Sequence, residues 1–207
     1  MSSAATLAAR SARVSDSALA AALVCWLAVV AAAMVGLWRY KTAPGPVSPS
    51  PARWPAESRL DRTEGRPALV MFVLPMCPCT RASLCQLNAV VPRFEGRVDA
   101  HVVFALPEGV VEEWRRGGSW DQAASIPGVR VHADPGEREA RLFGAKTSGY
   151  VVLYDRGDRL SFSGGITASR GHEGDNPGAD ALAALLGGER AQLVSWPVFG
   201  CPLENPR

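Results

Sequence analysis

Hydrophobic and polar positions divide the 207-residue chain into three regimes. The first is unbroken: from Ala18 to Trp38, ALAAALVCWLAVVAAAMVGLW, 21 residues pass without a charge. At about 1.5 Å per helical residue, this length matches the roughly 30 Å hydrocarbon core of a bilayer, and it predicts one transmembrane helix. A cleaved secretory signal is the rival, because Arg10 and Arg13 give a basic start and Ala31 to Ala33 imitate a cleavage site. Signal cores run only about 7 to 15 apolar residues, so the uncleaved anchor is preferred. The second regime is TAPGPVSPSPARWP, whose prolines at 44, 46, 49, 51 and 55 forbid a helix and predict an extended spacer that holds a domain off the membrane. The organisation expected is a short segment 1–17, a span 18–38, a Pro-rich linker 39–59 and a folded domain with a C-terminal tail over 60–207.

The third regime alternates. PALVMFVL (67–74) is a continuous apolar run of strand length, the pattern of a strand buried on both faces. TRASLCQLNAVV (80–91) carries Leu84, Leu87 and Val91 at helical spacing, and Pro92 stops it. DAHVVFAL (99–106) predicts a second strand, EGVVEEWRR a helix after Pro107, VRVHAD a short third strand, and PGEREARLFGA a helix ending near Gly144. YVVLYD and RLSFSGG flank RGD and read as a β-hairpin; a last helix, Ala179 to Leu186, stops at Gly187 and Gly188. The domain is therefore α/β.

Composition changes little: 47% hydrophobic and 20% charged residues describe an ordinary globular chain. A net charge of +2, without a basic stripe, excludes a nucleic-acid partner. Arg39, Lys41 and Arg53 beyond the span do not favour translocation of the C-terminal part, but long domains cross largely regardless of charge. A short N-terminal segment before a lone anchor, and clustered cysteines that suit an oxidising compartment, place residues 42–207 outside the cytoplasm.

The chemistry concentrates in PMCPCTRASLC (75–85), which holds three of the five cysteines. A cysteine at a helix N-terminus meets unpaired N–H groups and the positive end of the helix dipole, both favouring the thiolate that attacks disulfides. Cys79, with Arg81 in the same turn, is the expected nucleophile, and Cys77 its redox partner across Pro78. Cys85 sits between Leu84 and Leu87 and reads as core. Cys201, in the Pro-rich and Gly-rich tail, is open to three readings: resolving thiol for Cys77 or Cys79, structural partner of Cys85, or free. GGITASRGHEGDNPG (164–178) is a long polar loop that the hairpin returns to the cysteine end. From it His172 could take a thiol proton, or join Cys77 and Cys79 in a copper or zinc site; the plain alternative is a solvated loop pinned by Arg170. His101 and His132 read as structural.

A strand that delivers cysteines to a helix N-terminus, a crossover, and then a hairpin with a final helix resembles the thioredoxin-like superfamily over residues 66–188. With its anchor, CPCTRAS and GGITASRGHEGDN, the whole chain is further similar to bacterial membrane-anchored RedB-type thioredoxin-like proteins. The resemblance implies a mixed sheet flanked by helices, a single-pass protein of the bacterial inner membrane, and thiol–disulfide exchange with protein thiols or disulfides, without a cofactor. Two departures stand against it. Met76 occupies the position of the family's first cysteine, leaving a Cys-x-Cys pair, and Gly149 stands where the family has a cis-proline facing the cysteines. The loss of that proline is what keeps a Cys/His copper carrier as the alternative. Peroxidase chemistry is excluded, since the family pattern from Pro75 would need a cysteine at Ala82.

Overall fold

The computed structural model describes residues 16–106, 118–191 and 193–203. The chain forms two compact units, Met1–Tyr40 and Lys41–Arg207. In the first, helix α1 (Asp16–Thr42) runs 27 residues and buries none of them. Leu23, Trp26, Val29 and Met34 are all more than half exposed, an apolar surface that water does not favour and lipid does. By length and composition α1 can cross a membrane.

The second unit is built on one six-stranded sheet. Its elements are β1 (Ala68–Val73), α2 (Pro78–Val90), β2 (Asp99–Leu106), α3 (Gly118–Ala124), β3 (Val129–Pro135), α4 (Arg138–Leu142), β4 (Tyr150–Tyr154), β5 (Leu160–Gly164), α5 (Pro177–Gly187) and β6 (Ser195–Trp196). The strand order is β3-β2-β1-β4-β5-β6. β1, β2 and β3 are parallel, β4 runs antiparallel to β1, and β5 antiparallel to β4. All six residues of β1 are buried, as a central strand covered on both faces requires. On one face α2 and α5 press Leu84, Leu87 and Leu182 onto Leu69, Met71 and Val102. On the other, Val70, Phe72, Val103 and Tyr154 meet Phe143 and Leu60.

Of four further elements, one is not described, one forms as expected and two depart from expectation. The helix predicted over EGVVEEWRR lies outside the described residues. β3 is a full parallel partner of β2, pairing Ala100 with Val129 through Leu106 with Pro135. α4 is only five residues long, its first turn fixed by the Asp134 carboxylate accepting from the Glu139 and Ala140 amides at 3.0 and 2.9 Å. The Pro-rich segment is a strap and not a spacer. Gly45 N–H donates to Val198 O at 2.8 Å, Tyr154 OH to Pro51 O at 3.0 Å, and Leu160 N–H to Ala52 O at 3.0 Å. Trp54 then packs edge-on against Phe143 and Tyr154, with centroids 4.9 and 5.4 Å apart. The reason is physical: among the described residues no long helix covers the second face of the sheet, and an extended chain without internal hydrogen bonds is free to pack there.

β2–β3 pairing also joins two histidines that the sequence leaves apart. His101 Nδ1 lies 2.9 Å from His132 Nε2, deep beside Asp99, whose carboxylate meets Arg66 and Arg130 at 3.5 and 2.9 Å.

Candidate thiol site

The sheet's C-terminal edge builds the site. β1 ends at Val73, the chain turns through Leu74, Pro75 and Met76, and α2 starts with Cys77 as its N-cap in extended conformation and Pro78 in the first turn. Proline suits that position because its missing N–H is one the helix would leave unpaired anyway. Cys77 N–H closes onto Leu74 O at 3.3 Å and Thr80 N–H onto Cys77 O at 3.0 Å. Cys79 therefore stands inside the first turn, and Cys77 at the cap.

The β4 side supplies the brace. Ser148 Oγ accepts from Leu74 N–H at 2.9 Å and shares a hydrogen bond with Thr80 Oγ1 at 3.0 Å, while Thr80 Oγ1 donates to Leu74 O at 2.7 Å. The residue that bears on Cys77 from this side is thus Ser148, one position before the expected Gly149. Gly149 faces α2 instead: its φ is +89°, and a Cβ there would lie 2.7 Å from Ser83 Oγ.

The C-terminal tail completes the arrangement. Ser148 N–H donates to Cys201 O at 2.8 Å, Leu203 N–H to Lys146 O at 2.9 Å, and Thr147 bridges Pro202 in antiparallel fashion. Gly200 passes so close that a Cβ would collide with Ser148 O. This seating sets Cys201 Sγ 2.8 Å from Cys77 Sγ.

Electrostatics separates the three thiols. Burial alone would raise Cys77, but hydrogen bonds from the Cys201 thiol and amide, the Cys79 amide and the Ser148 hydroxyl more than offset it and hold Cys77 below the ordinary thiol value. Cys79 is pushed up, by burial first and then by the charge of Cys77, against the opposing Arg170 cation and Gly171 N–H. Cys201 is raised to about 12 by burial and by donating to Cys77. The surroundings that favour an ionised thiol thus lie at Cys77, one cap position before the expected Cys79.

Other predicted residues stand apart from this cluster or at its edge. The 164–178 loop does adjoin the thiols, but through Arg170 and the Gly171 amide. Arg170 also donates from its guanidinium to Gly200 O and from its backbone to Lys41 O at 3.0 Å. Arg81 points outward, 78% exposed, to Glu173 at 3.9 Å. His172 is exposed. Among the described residues no three His, Cys, Asp or Glu side chains are grouped to hold a metal ion, so the Cys77, Cys79 and His172 set is not assembled. Cys85 is half-buried with Gln122 Nε2 3.3 Å from its sulfur. Ser148 is the member that sequence reasoning missed, with no local signal to find it; Arg170 was read only as the pin of its loop, and Cys201 was left open among three readings.

No family model matches the chain, and no curated protein matches it. Among solved structures it is similar to a hypothetical protein of Sinorhizobium meliloti, at 24% identity and TM-score 0.56 over 68% of this chain and 80% of that one. An uncharacterised conserved protein of Geobacillus kaustophilus matches at 17% identity and TM-score 0.54, over 80% of this chain and 93% of that one. A thioredoxin-like protein in its oxidised form matches more loosely, at 15% identity and TM-score 0.44, over 73% of this chain and 99% of that one. The likeness is one of fold, and the β1-α2-β2 crossover joined to the β4-β5-α5 hairpin unit on a mixed sheet makes that fold thioredoxin-like.

Proposed function

We propose that the protein is a membrane-anchored thiol–disulfide oxidoreductase acting on protein thiols or disulfides. Cys77 is its attacking thiol, Cys79 the second thiol of the Cys-Pro-Cys turn, α1 the anchor, and residues 42–207 face the extracytoplasmic side of a bacterial inner membrane. The observation that carries this reading is the placement of the buried Cys77 at the N-cap of α2 with Cys201 Sγ 2.8 Å from its sulfur, a setting that holds the thiol below its ordinary value and so favours the thiolate. The thiolate attacks one sulfur of a substrate disulfide, forms a mixed disulfide, and releases the other sulfur as a thiolate that takes up a proton. Arg170 supplies positive charge beside the thiols during exchange. Met76, 73% exposed at the rim, offers an apolar and adaptable landing surface for an unfolded or extended substrate segment.

The test is turnover of a model disulfide by the detergent-solubilised full chain. Cys77→Ser is expected to fall to the uncatalysed background, whereas Cys85→Ser retains wild-type turnover. Undiminished activity in Cys77→Ser refutes the assignment. Labelling of intact cells with a membrane-impermeant maleimide checks the topology: modification after reduction places the domain outside.

A further inference from the structure

We infer that Cys201 is the resolving thiol, so that the site cycles through a Cys77–Cys201 disulfide joining the β1–α2 turn to the C-terminal tail while Cys79 stays reduced. The inference rests on Cys77 being the attacking thiol, and on nothing assigned to Cys79.

Three observations carry it. The two sulfurs already stand 2.8 Å apart, as free thiols about 0.8 Å from covalent separation. The tail that brings Cys201 there is seated by backbone: Ser148 N–H to Cys201 O, Leu203 N–H to Lys146 O, Gly45 N–H to Val198 O and the Arg170 guanidinium to Gly200 O. Gly200 fits against Ser148 O only because it lacks a side chain. The contact joins residues 124 positions apart in sequence, so it is the fold and not local chain geometry that pairs them. By contrast, a Cys77–Cys79 bond must close across a single residue, with Cys77 extended and Pro78 already helical, which asks one short ring to span two backbone conformations.

The chemistry balances in two exchanges. Cys77 thiolate attacks substrate R–S–S–R′, forming Cys77–S–S–R and expelling R′S⁻, which is protonated. Cys201 loses its proton and attacks Cys77 Sγ, forming Cys77–S–S–Cys201 and expelling RS⁻, which takes a proton. The substrate disulfide gains two electrons and the thiol pair loses two. Run backwards, with substrate dithiol as reductant, the same steps oxidise a substrate. Cys201 is the more exposed of the pair, so an incoming thiol reaches its sulfur and expels Cys77, the better leaving group.

Disulfide mapping decides it. The full chain in detergent is oxidised with oxidised glutathione, free thiols are blocked with N-ethylmaleimide, and peptides are sequenced by mass spectrometry. The expected result is a peptide linking Cys77 to Cys201 with Cys79 alkylated. In Cys201→Ser that cross-link is lost and glutathione accumulates on Cys77, whereas Cys79→Ser keeps the cross-link. A Cys77–Cys79 link with Cys201 alkylated in the wild-type chain overturns the inference and leaves the oxidoreductase reading intact. No bond to Cys77 of any kind overturns both.

Discussion

Ser148 touches the site at three points: the Leu74 amide, the Thr80 hydroxyl and the sulfur of Cys77. A hydrogen bond to a charged acceptor is worth about 1.5 to 3 kcal/mol, and one pKa unit corresponds to about 1.4 kcal/mol. Ser148→Ala should therefore raise the Cys77 thiol. The pH profile of its alkylation by iodoacetamide, followed at Cys77 by mass spectrometry, is expected to move to higher pH, and an unmoved profile would show that the other donors suffice. Removing the Arg170 cation works in the same direction on Cys79, the group that already lies above its ordinary value.

At the level of elements, α2 and the entry to β4 must approach closely for the brace to reach the thiols. Gly149 makes this approach possible. A left-handed backbone costs a residue with a Cβ about 1 to 2 kcal/mol, and Ser83 Oγ occupies the space besides. Gly149→Ala should lower the melting temperature by about 4 °C or more, and Ser83→Ala in the same chain should restore part of the loss. Much of this element frame was legible in the sequence. The apolar run over residues 67–74, the helix with Leu84 and Leu87, and the hairpin around RGD all formed, since each depends on periodicity over a few neighbours. The illegible part depends on contacts across the chain. The lowering at Cys77 owes much to residues 148 and 201, and no local spacing encodes them. Likewise the strap looked like a spacer because proline content reports stiffness, whereas docking depends on an uncovered sheet face elsewhere.

The stability of the whole molecule draws on the strap and on the pairing of buried His101 with half-buried His132. Trp54 anchors the strap on Phe143 and Tyr154, with the Arg62 guanidinium 4.9 Å from its ring centre. Trp54→Ala should cost about 2 to 3 kcal/mol of stability, less than a fully buried tryptophan, as read by urea unfolding. The histidines make the molecule sensitive to acid. Burial, Arg130 and His132 lower His101 to about 3, with Asp99 opposing; burial and Arg130 lower His132, with Asp61 and Glu139 opposing. The unfolded chain therefore binds more protons than the folded one below the ordinary histidine value of about 6.5. Stability contributed by the neutral pair is fully present above that pH and is lost as pH falls from about 6.5 toward 3, by up to roughly 1.4 kcal/mol per pH unit for His101. Asp134, raised by burial, works the other way. Urea midpoints at pH 7 and pH 5 should differ in that direction, and His101→Gln should flatten the difference.

The hydrogen bond from Gly45 to Val198, with that from Arg170 to Lys41, bears on how the domain can be handled. Both ends of the folded unit are stitched together where the thiols lie. Trimming residues 41–45 for the sake of a shorter fragment would unpin the stretch that carries Cys201 and loosen its hold beside Cys77, so that the thiols of the fragment would no longer report on those of the full chain.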